Sequence, residues 1–203
     1  MGVINRTAEA LASICAKKGV YHRDKIEEYA YGYELLISTI LNLSMVLTIG
    51  ALLCEALEAF VFTAGFAFLR TIAGGYHAKT HRACISIFSS VFLFFAITIK
   101  ILPTGYVLPY IIVISLISSV IIYIEAPVAA PNKPLSMEKQ KRLKRLCYIN
   151  ILANLVICVM IIIFPSLGNS FFTAYFSGIL AASVSLLAAK LYKNKAKEVN
   201  VNA

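Results

Sequence analysis

From Leu146 to Ala189 the chain runs for 44 residues without one charged side chain, and that run decides which folds are open to it. A soluble core intersperses charged and apolar residues, whereas a bilayer excludes charge over whole segments. Leu35 to Cys54, Ala83 to Ile99 and Ile101 to Ile124 are neutral in the same way. With 60% hydrophobic residues, 14% charged and a mean hydropathy of +0.80, the chain is too apolar for a compact domain in water. An integral membrane protein follows, partnered by the lipid bilayer, and nucleic-acid binding is a poor explanation of the +9 net charge. The five cysteines are an odd number scattered over membrane runs and charged segments. They do not read as a secreted disulfide framework, so free thiols are expected.

A hydrocarbon layer of about 30 Å asks for roughly 20 apolar residues per helix at about 1.5 Å each. On that measure the chain crosses six times. Leu35 to Cys54 is the first crossing and Glu55 to Ala73 the second, entered from a tight hairpin with Glu55 and Glu58 and ending near Arg70. Ala83 to Ile99 and Gly105 to Ile124 are the third and fourth, with Pro103 and Pro109 marking the turn between them and Lys100 snorkelling to that interface. The 44-residue run is too long for one helix and breaks at Pro165-Ser166-Leu167-Gly168-Asn169 into the fifth and sixth.

The 19 Lys and Arg residues fall as five before Leu35, three from Arg70 to Arg82, six from Lys133 to Arg145, four from Lys190 onward, and Lys100 alone. With six crossings, eighteen of them share one side, and the positive-inside rule places that side and both termini in the cytoplasm. The first 30 residues carry Ile4, Ala8, Leu11, Ala12 and Cys15 at helical spacing, with Arg6, Glu9, Lys17 and Lys18 elsewhere. They read as an interfacial helix. Glu9 interrupts the apolar stretch and Ile14 precedes Cys15, so neither a cleaved signal peptide nor a lipoprotein processing site is expected. The architecture is therefore all-α and polytopic. An amphipathic interfacial segment (1–30) precedes a six-helix membrane domain (31–192) and a basic cytoplasmic tail (193–203).

Ionisable residues are expensive at membrane depth, about 2.5 to 3.5 kcal/mol for Asp, Lys or Arg at a helix centre, so their concentration between the second and third crossings is informative. Arg70 to Cys84 holds His77, His81, two adjacent glycines and a cysteine. Cys84 falls at the start of a helix, where unpaired N–H groups and the positive dipole end favour a thiolate, with Lys79 and Arg82 acting in the same sense. A nucleophilic cysteine needs a base within hydrogen-bond reach. His81, three residues earlier, shares a helical face with Cys84. His77, seven earlier, lies about 10.5 Å away along a straight helix and reaches it only if the chain bends, which Gly74 and Gly75 permit by loosening the backbone. Spacing alone prefers His81 slightly. A plain positive-inside loop explains the same residues without chemistry. A third reading makes His77, His81 and Cys84 metal ligands, but no carboxylate or convincing fourth ligand accompanies them.

The segment around Gly74-Gly75-Tyr76-His77-Ala78, with Cys84 seven residues after the histidine, resembles AgrB, the accessory gene regulator membrane endopeptidase of Gram-positive quorum sensing. The six-helix layout and the stretches Ala126-Pro127-Val128 and Pro131-Asn132-Lys133-Pro134 are similar too. The resemblance implies a cysteine endopeptidase that removes the C-terminal tail of an AgrD-like precursor peptide and cyclises the remainder to a thiolactone or lactone. It implies His77 and Cys84 as the catalytic pair, against the spacing preference, and a bent entry to the third helix. Arg70 and Gly75 match positions the family needs, and His81 becomes a loop residue.

The segment Lys133 to Arg145, with six basic residues and Glu138, is read as a loop suited to an acidic peptide tail or anionic lipid. No metal or cofactor is called for, and a homodimer is compatible with the reading. The rivals are a peptide transporter without covalent chemistry and a metal-dependent membrane hydrolase. Asn150 and Asn154 are expected to bond to a neighbouring helix, and Gly178, Ala181, Ala182 and Ser185 to mark close packing. Cys15, Cys54, Cys147 and Cys158 read as packing residues.

Overall fold

The computed structural model describes residues 3–53, 55–75, 80–128 and 136–201. Helix α1 (Val3–Lys17) is followed by α2 (Ile26–Leu52), α3 (Ala56–Ala73), α4 (His81–Ile101), α5 (Thr104–Glu125), α6 (Met137–Ile163) and α7 (Ser170–Val201), with single 3-10 turns at Arg23–Lys25 and Pro165–Leu167. The described residues contain no strand. Helices α2 to α7 are each long and apolar enough to cross a membrane, so the chain is an all-α multi-pass membrane protein. Alternating crossings leave two ends to the bundle. The basic end carries the connections after α1, α3 and α5 and the C-terminus of α7; the opposite end carries the tight turns after α2, α4 and α6.

Several boundaries lie outside the neutral runs. The first crossing was expected from Leu35, yet α2 begins at Ile26 and takes in Glu27, Glu28 and Glu34; the fifth was expected from Leu146, yet α6 begins at Met137. Helical hydrogen bonding is indifferent to side-chain charge, so a helix continues past the hydrocarbon edge wherever its cap allows. For α6 that cap is Ser136, whose side chain accepts from the Lys139 N–H at 3.3 Å. Most of the segment read as a basic loop is therefore helix: Lys139, Lys141, Arg142, Lys144 and Arg145 decorate the first turns of α6.

Helix α7 is the most buried crossing and packs along α3. The two approach closely because the facing residues are small. A Cβ on Gly178 would overlap the Phe62 carbonyl, and one on Gly65 would stand 3.0 Å from the Tyr175 carbonyl. This is the small-residue packing that membrane helices use where no hydrophobic drive exists between them. Around that axis, Phe62, Phe92 and Phe95 fill the space between α3 and α4, with the Phe62 and Phe92 rings edge to face at 5.4 Å. Asn154 donates to Asn150 within α6 at 3.1 Å and accepts from the Tyr175 hydroxyl of α7 at 3.0 Å, the expected polar link to a neighbour.

Helix α1 docks on the start of α2 through a stripe of Ala8, Ala12 and Ala16, all buried, while Val3, Leu11 and Ile14 remain exposed. Tyr21 bonds the Ala12 carbonyl at 2.6 Å and stacks on Tyr29, and Tyr33 of α2 donates to Cys15 at 3.4 Å. The short side chains face α2 and the long apolar ones face outward.

Candidate functional site

The chemistry-bearing residues converge at the basic end, from four crossings. Helix α4 is started by Thr80, whose backbone is extended and whose hydroxyl accepts from the Ala83 N–H at 3.2 Å. Cys84 is thus the fourth residue of the helix, half-buried. Its own N–H is bonded to the Thr80 carbonyl at 3.0 Å. Seventeen residues separate it from the helix end at Ile101, about 25 Å along the axis, which sets its sulfur near the edge of a hydrocarbon layer about 30 Å thick.

A residue that sequence reasoning passed over faces this sulfur. The Asn42 amide of α2 donates to Cys84 Sγ at 3.8 Å, and the Asn42 Oδ1 is buried with no hydrogen-bond partner among the described residues. Its signal was present in the sequence: a carboxamide inside a neutral membrane run is costly unless it has a task.

Arg70, in the last turn of α3, is the second anchor. Its Nη1 donates to Ser185 Oγ of α7 at 3.3 Å, and its guanidinium carbon lies 5.6 Å from the centre of the Phe66 ring. It is also close enough to Cys84 for the two to interact electrostatically. Ser185, expected only as a packing residue, holds this arginine.

Gly74 and Gly75 do more than loosen the backbone. Gly74 ends α3 at φ +83°, and a Cβ there would overlap the Val128 carbonyl; Gly75, at φ +150°, would press a Cβ onto Ser185 Oγ and to 3.5 Å from Arg70 Nη1. The Val128 N–H bonds the Ala73 carbonyl at 2.9 Å. The chain leaving α3 is therefore clamped between α7 and the segment that follows α5, and only glycine suits both the torsions and the space. At the same end, Lys190 and Glu125 pair at 2.5 Å between α7 and α5.

The structure thus brings Arg70, Gly75 and Cys84 to one end of the bundle. His77, Lys133 and the side chain of His81 lie outside the described residues, as does Cys54. Among the described residues no three His, Cys, Asp or Glu side chains gather as metal ligands. The remaining described cysteines have packing environments: Cys147 is buried against the Ile72 carbonyl at 3.8 Å, Cys158 is buried between α5 and α6, and Cys15 is held by Tyr33.

The family model described as Accessory gene regulator B matches residues 6–187. An AgrB-like protein of Clostridium perfringens (strain SM101 / Type A) is 31% identical over 127 residues, covering 60% of this chain and 59% of its own length. AgrB-like protein 2 of Clostridium perfringens (strain 13 / Type A) is 29% identical over 145 residues, covering 69% of this chain and 68% of its own. The chain therefore spans about three-fifths to two-thirds of these relatives. No solved structure matches.

Proposed function

The chain belongs to the accessory gene regulator B family, and from that membership together with the geometry at Cys84 we propose that it processes a quorum-sensing precursor peptide as a membrane cysteine endopeptidase and cyclase. The observation that carries the reading is the setting of Cys84. It is a half-buried thiol at the head of α4, within electrostatic reach of Arg70, at the end of the bundle that collects the basic segments. An activated cysteine nucleophile has that kind of electropositive, partly accessible surrounding.

In the proposed reaction His77 takes the proton from Cys84, and the sulfur attacks the scissile carbonyl of an AgrD-like precursor. The C–N bond breaks, the tail leaves as an amine that receives the proton from His77, and the peptide remains as a thioester on Cys84. A thiol or hydroxyl of the same peptide then attacks the thioester carbonyl, closing a thiolactone or lactone and returning the free cysteine. A sulfur at the hydrocarbon edge meets little water, so an intramolecular nucleophile held close by is favoured over hydrolysis. With six crossings, eighteen of the 19 basic residues fall in segments on the same side, which supports a cytoplasmic location for the site and both termini. Lys133 and the basic turns of α6 are assigned to the precursor's acidic tail, and a homodimer fits the scheme.

Coexpression of the precursor with Cys84→Ala, His77→Ala and His81→Ala variants at matched membrane levels tests this. Cleavage is expected to vanish in the first two and persist in the third, and enzyme quenched during turnover should carry the peptide's mass on Cys84. Full cleavage by Cys84→Ala would overturn the reading. Sensitivity to chelators with stoichiometric bound zinc would replace it by a metal hydrolase.

A further inference from the structure

We propose that Asn42 is the oxyanion donor of the cysteine site: its side-chain amide binds the scissile carbonyl oxygen as negative charge develops there. The proposal rests on the reading of Cys84 as nucleophile.

Three observations lead to it. The first is that the usual donor is already engaged. A nucleophile's own backbone N–H commonly stabilises the oxyanion, but the Cys84 N–H is bonded to the Thr80 carbonyl at 3.0 Å and the Ala83 N–H to the Thr80 hydroxyl at 3.2 Å. A side chain must supply at least part of what the head of α4 has committed elsewhere.

The second is that helix packing does not account for Asn42 as it accounts for the other membrane asparagines. Asn154 both donates to Asn150 and accepts from Tyr175. Among the described residues Asn42 donates only to a sulfur, at 3.8 Å, and its buried Oδ1 has no partner. Sulfur is a weak acceptor, so the resting contact offsets little of what placing a carboxamide there costs. The same N–H turned to an anionic oxygen makes a charge-assisted bond roughly twice as strong. An interaction weak in the ground state and strong in the transition state is the kind that accelerates a reaction.

The third is distance. When Sγ bonds the carbonyl carbon, the oxygen comes to lie about 2.7 Å from the sulfur, and effective donors stand about 2.7 to 3.1 Å from that oxygen. A nitrogen 3.8 Å from Sγ closes such a triangle without either helix moving.

The test uses the full-length protein in membranes, with coexpressed precursor as substrate and iodoacetamide as a second probe of Cys84. Alkylation by iodoacetamide forms no oxyanion and therefore reports only whether the sulfur is present and reachable. In Asn42→Ala, kcat for cleavage is expected to fall about 10²- to 10³-fold, while KM and the alkylation rate stay within about threefold of the parent. Asn42→Asp, of the same shape but without the amide donor, should fall as far. A kcat loss below tenfold in Asn42→Ala, recovery in Asn42→Asp, or a parallel fall of alkylation and cleavage overturns the proposal. The two readings separate cleanly: an inactive Cys84→Ala beside a fully active Asn42→Ala removes Asn42 alone, whereas an active Cys84→Ala removes both.

Discussion

The two ends of the bundle both gather polar side chains, and they dispose of them differently. At the opposite end the partners lie far apart in sequence, at the ends of α2, α3, α4 and α7, and bond in separate pairs. Lys100 reaches the Leu53 carbonyl at 3.4 Å, and Ser170 donates to Glu58 at 2.7 Å. These bonds fasten helix ends together. At the basic end the groups come from α2, α3, α4 and α7, with Arg70 on Ser185, Asn42 on Cys84, and Arg70 within electrostatic reach of Cys84. Each end also buries a side-chain oxygen with no hydrogen-bond partner among the described residues, Glu55 Oε2 at one and Asn42 Oδ1 at the other. A carboxyl relieves that burial by taking up a proton, whereas a carboxamide has no such escape. The unpaired oxygen of Asn42 therefore persists at every ordinary pH, and its retention needs a reason in function rather than in titration.

The sharpest way to break this comparison is to remove one cation from each end. Arg70→Met deletes a charge-assisted bond to Ser185 and a cation within electrostatic reach of Cys84. Such bonds contribute about 1.5 to 3 kcal/mol, so precursor cleavage should fall roughly 10- to 150-fold. Lys100→Met deletes a bond to one backbone carbonyl in an exposed turn, and cleavage should stay within about threefold. Initial cleavage rates at matched membrane levels decide it. Equal losses in the two variants would mean that Arg70 is only another topological anchor.

Glycines give a second contrast, of intermediate size. A Cβ on Gly75 meets Ser185 and Arg70 in a backbone conformation that L side chains rarely adopt, whereas a Cβ on Gly105, at the start of α5, meets nothing within 4 Å. Gly75→Ala should destabilise by about 1 to 3 kcal/mol through overpacking and torsional strain. Gly105→Ala should stabilise by about 0.5 to 1 kcal/mol because alanine loses less backbone entropy in a helix. Thermal unfolding midpoints in one detergent would show opposite signs. A neutral Gly75→Ala would show that the clamp after α3 yields.

What could be read beforehand divides along the same lines. Helix number, the break at 165–169 and the crowding of ionisable residues between Arg70 and Cys84 follow from hydropathy and charge, properties each residue carries by itself. The starts of α2 and α6 do not, because hydropathy registers the membrane edge and not the end of the helix, which Ser136 sets for α6. Asn42 was hidden for a different reason. It is 42 residues from Cys84 in sequence, and only the packing of α2 on α4 makes the two neighbours. Ser185, 115 residues from Arg70, looked like a small packing residue because sequence spacing carries no information about its partner.

The smallest expected effect tests the claim about titration itself. Burial holds the Glu55 carboxyl above its ordinary value; the neighbouring charge of Glu58 adds to this and Lys100 offsets part of it. The folded protein therefore keeps this proton to higher pH than the unfolded chain does. Where the folded state binds more protons, stability falls as pH rises, so the loss begins near the unfolded value of about 4.3 and ends once the folded carboxyl has ionised. Glu55→Gln removes this contribution and should flatten the pH dependence between the two limits. Because the residue as a whole is only partly buried, screening keeps the difference small, under about 4 °C in unfolding midpoint. The parent-minus-variant midpoint, followed upward from pH 4, should decrease and then level. Asn42→Ala, carrying no titrating group, should shift the midpoint equally at every pH. A difference that grows with pH for Glu55→Gln in the reverse sense would mean that Lys100 outweighs burial, and the two ends would then differ by ion pairing rather than by protonation.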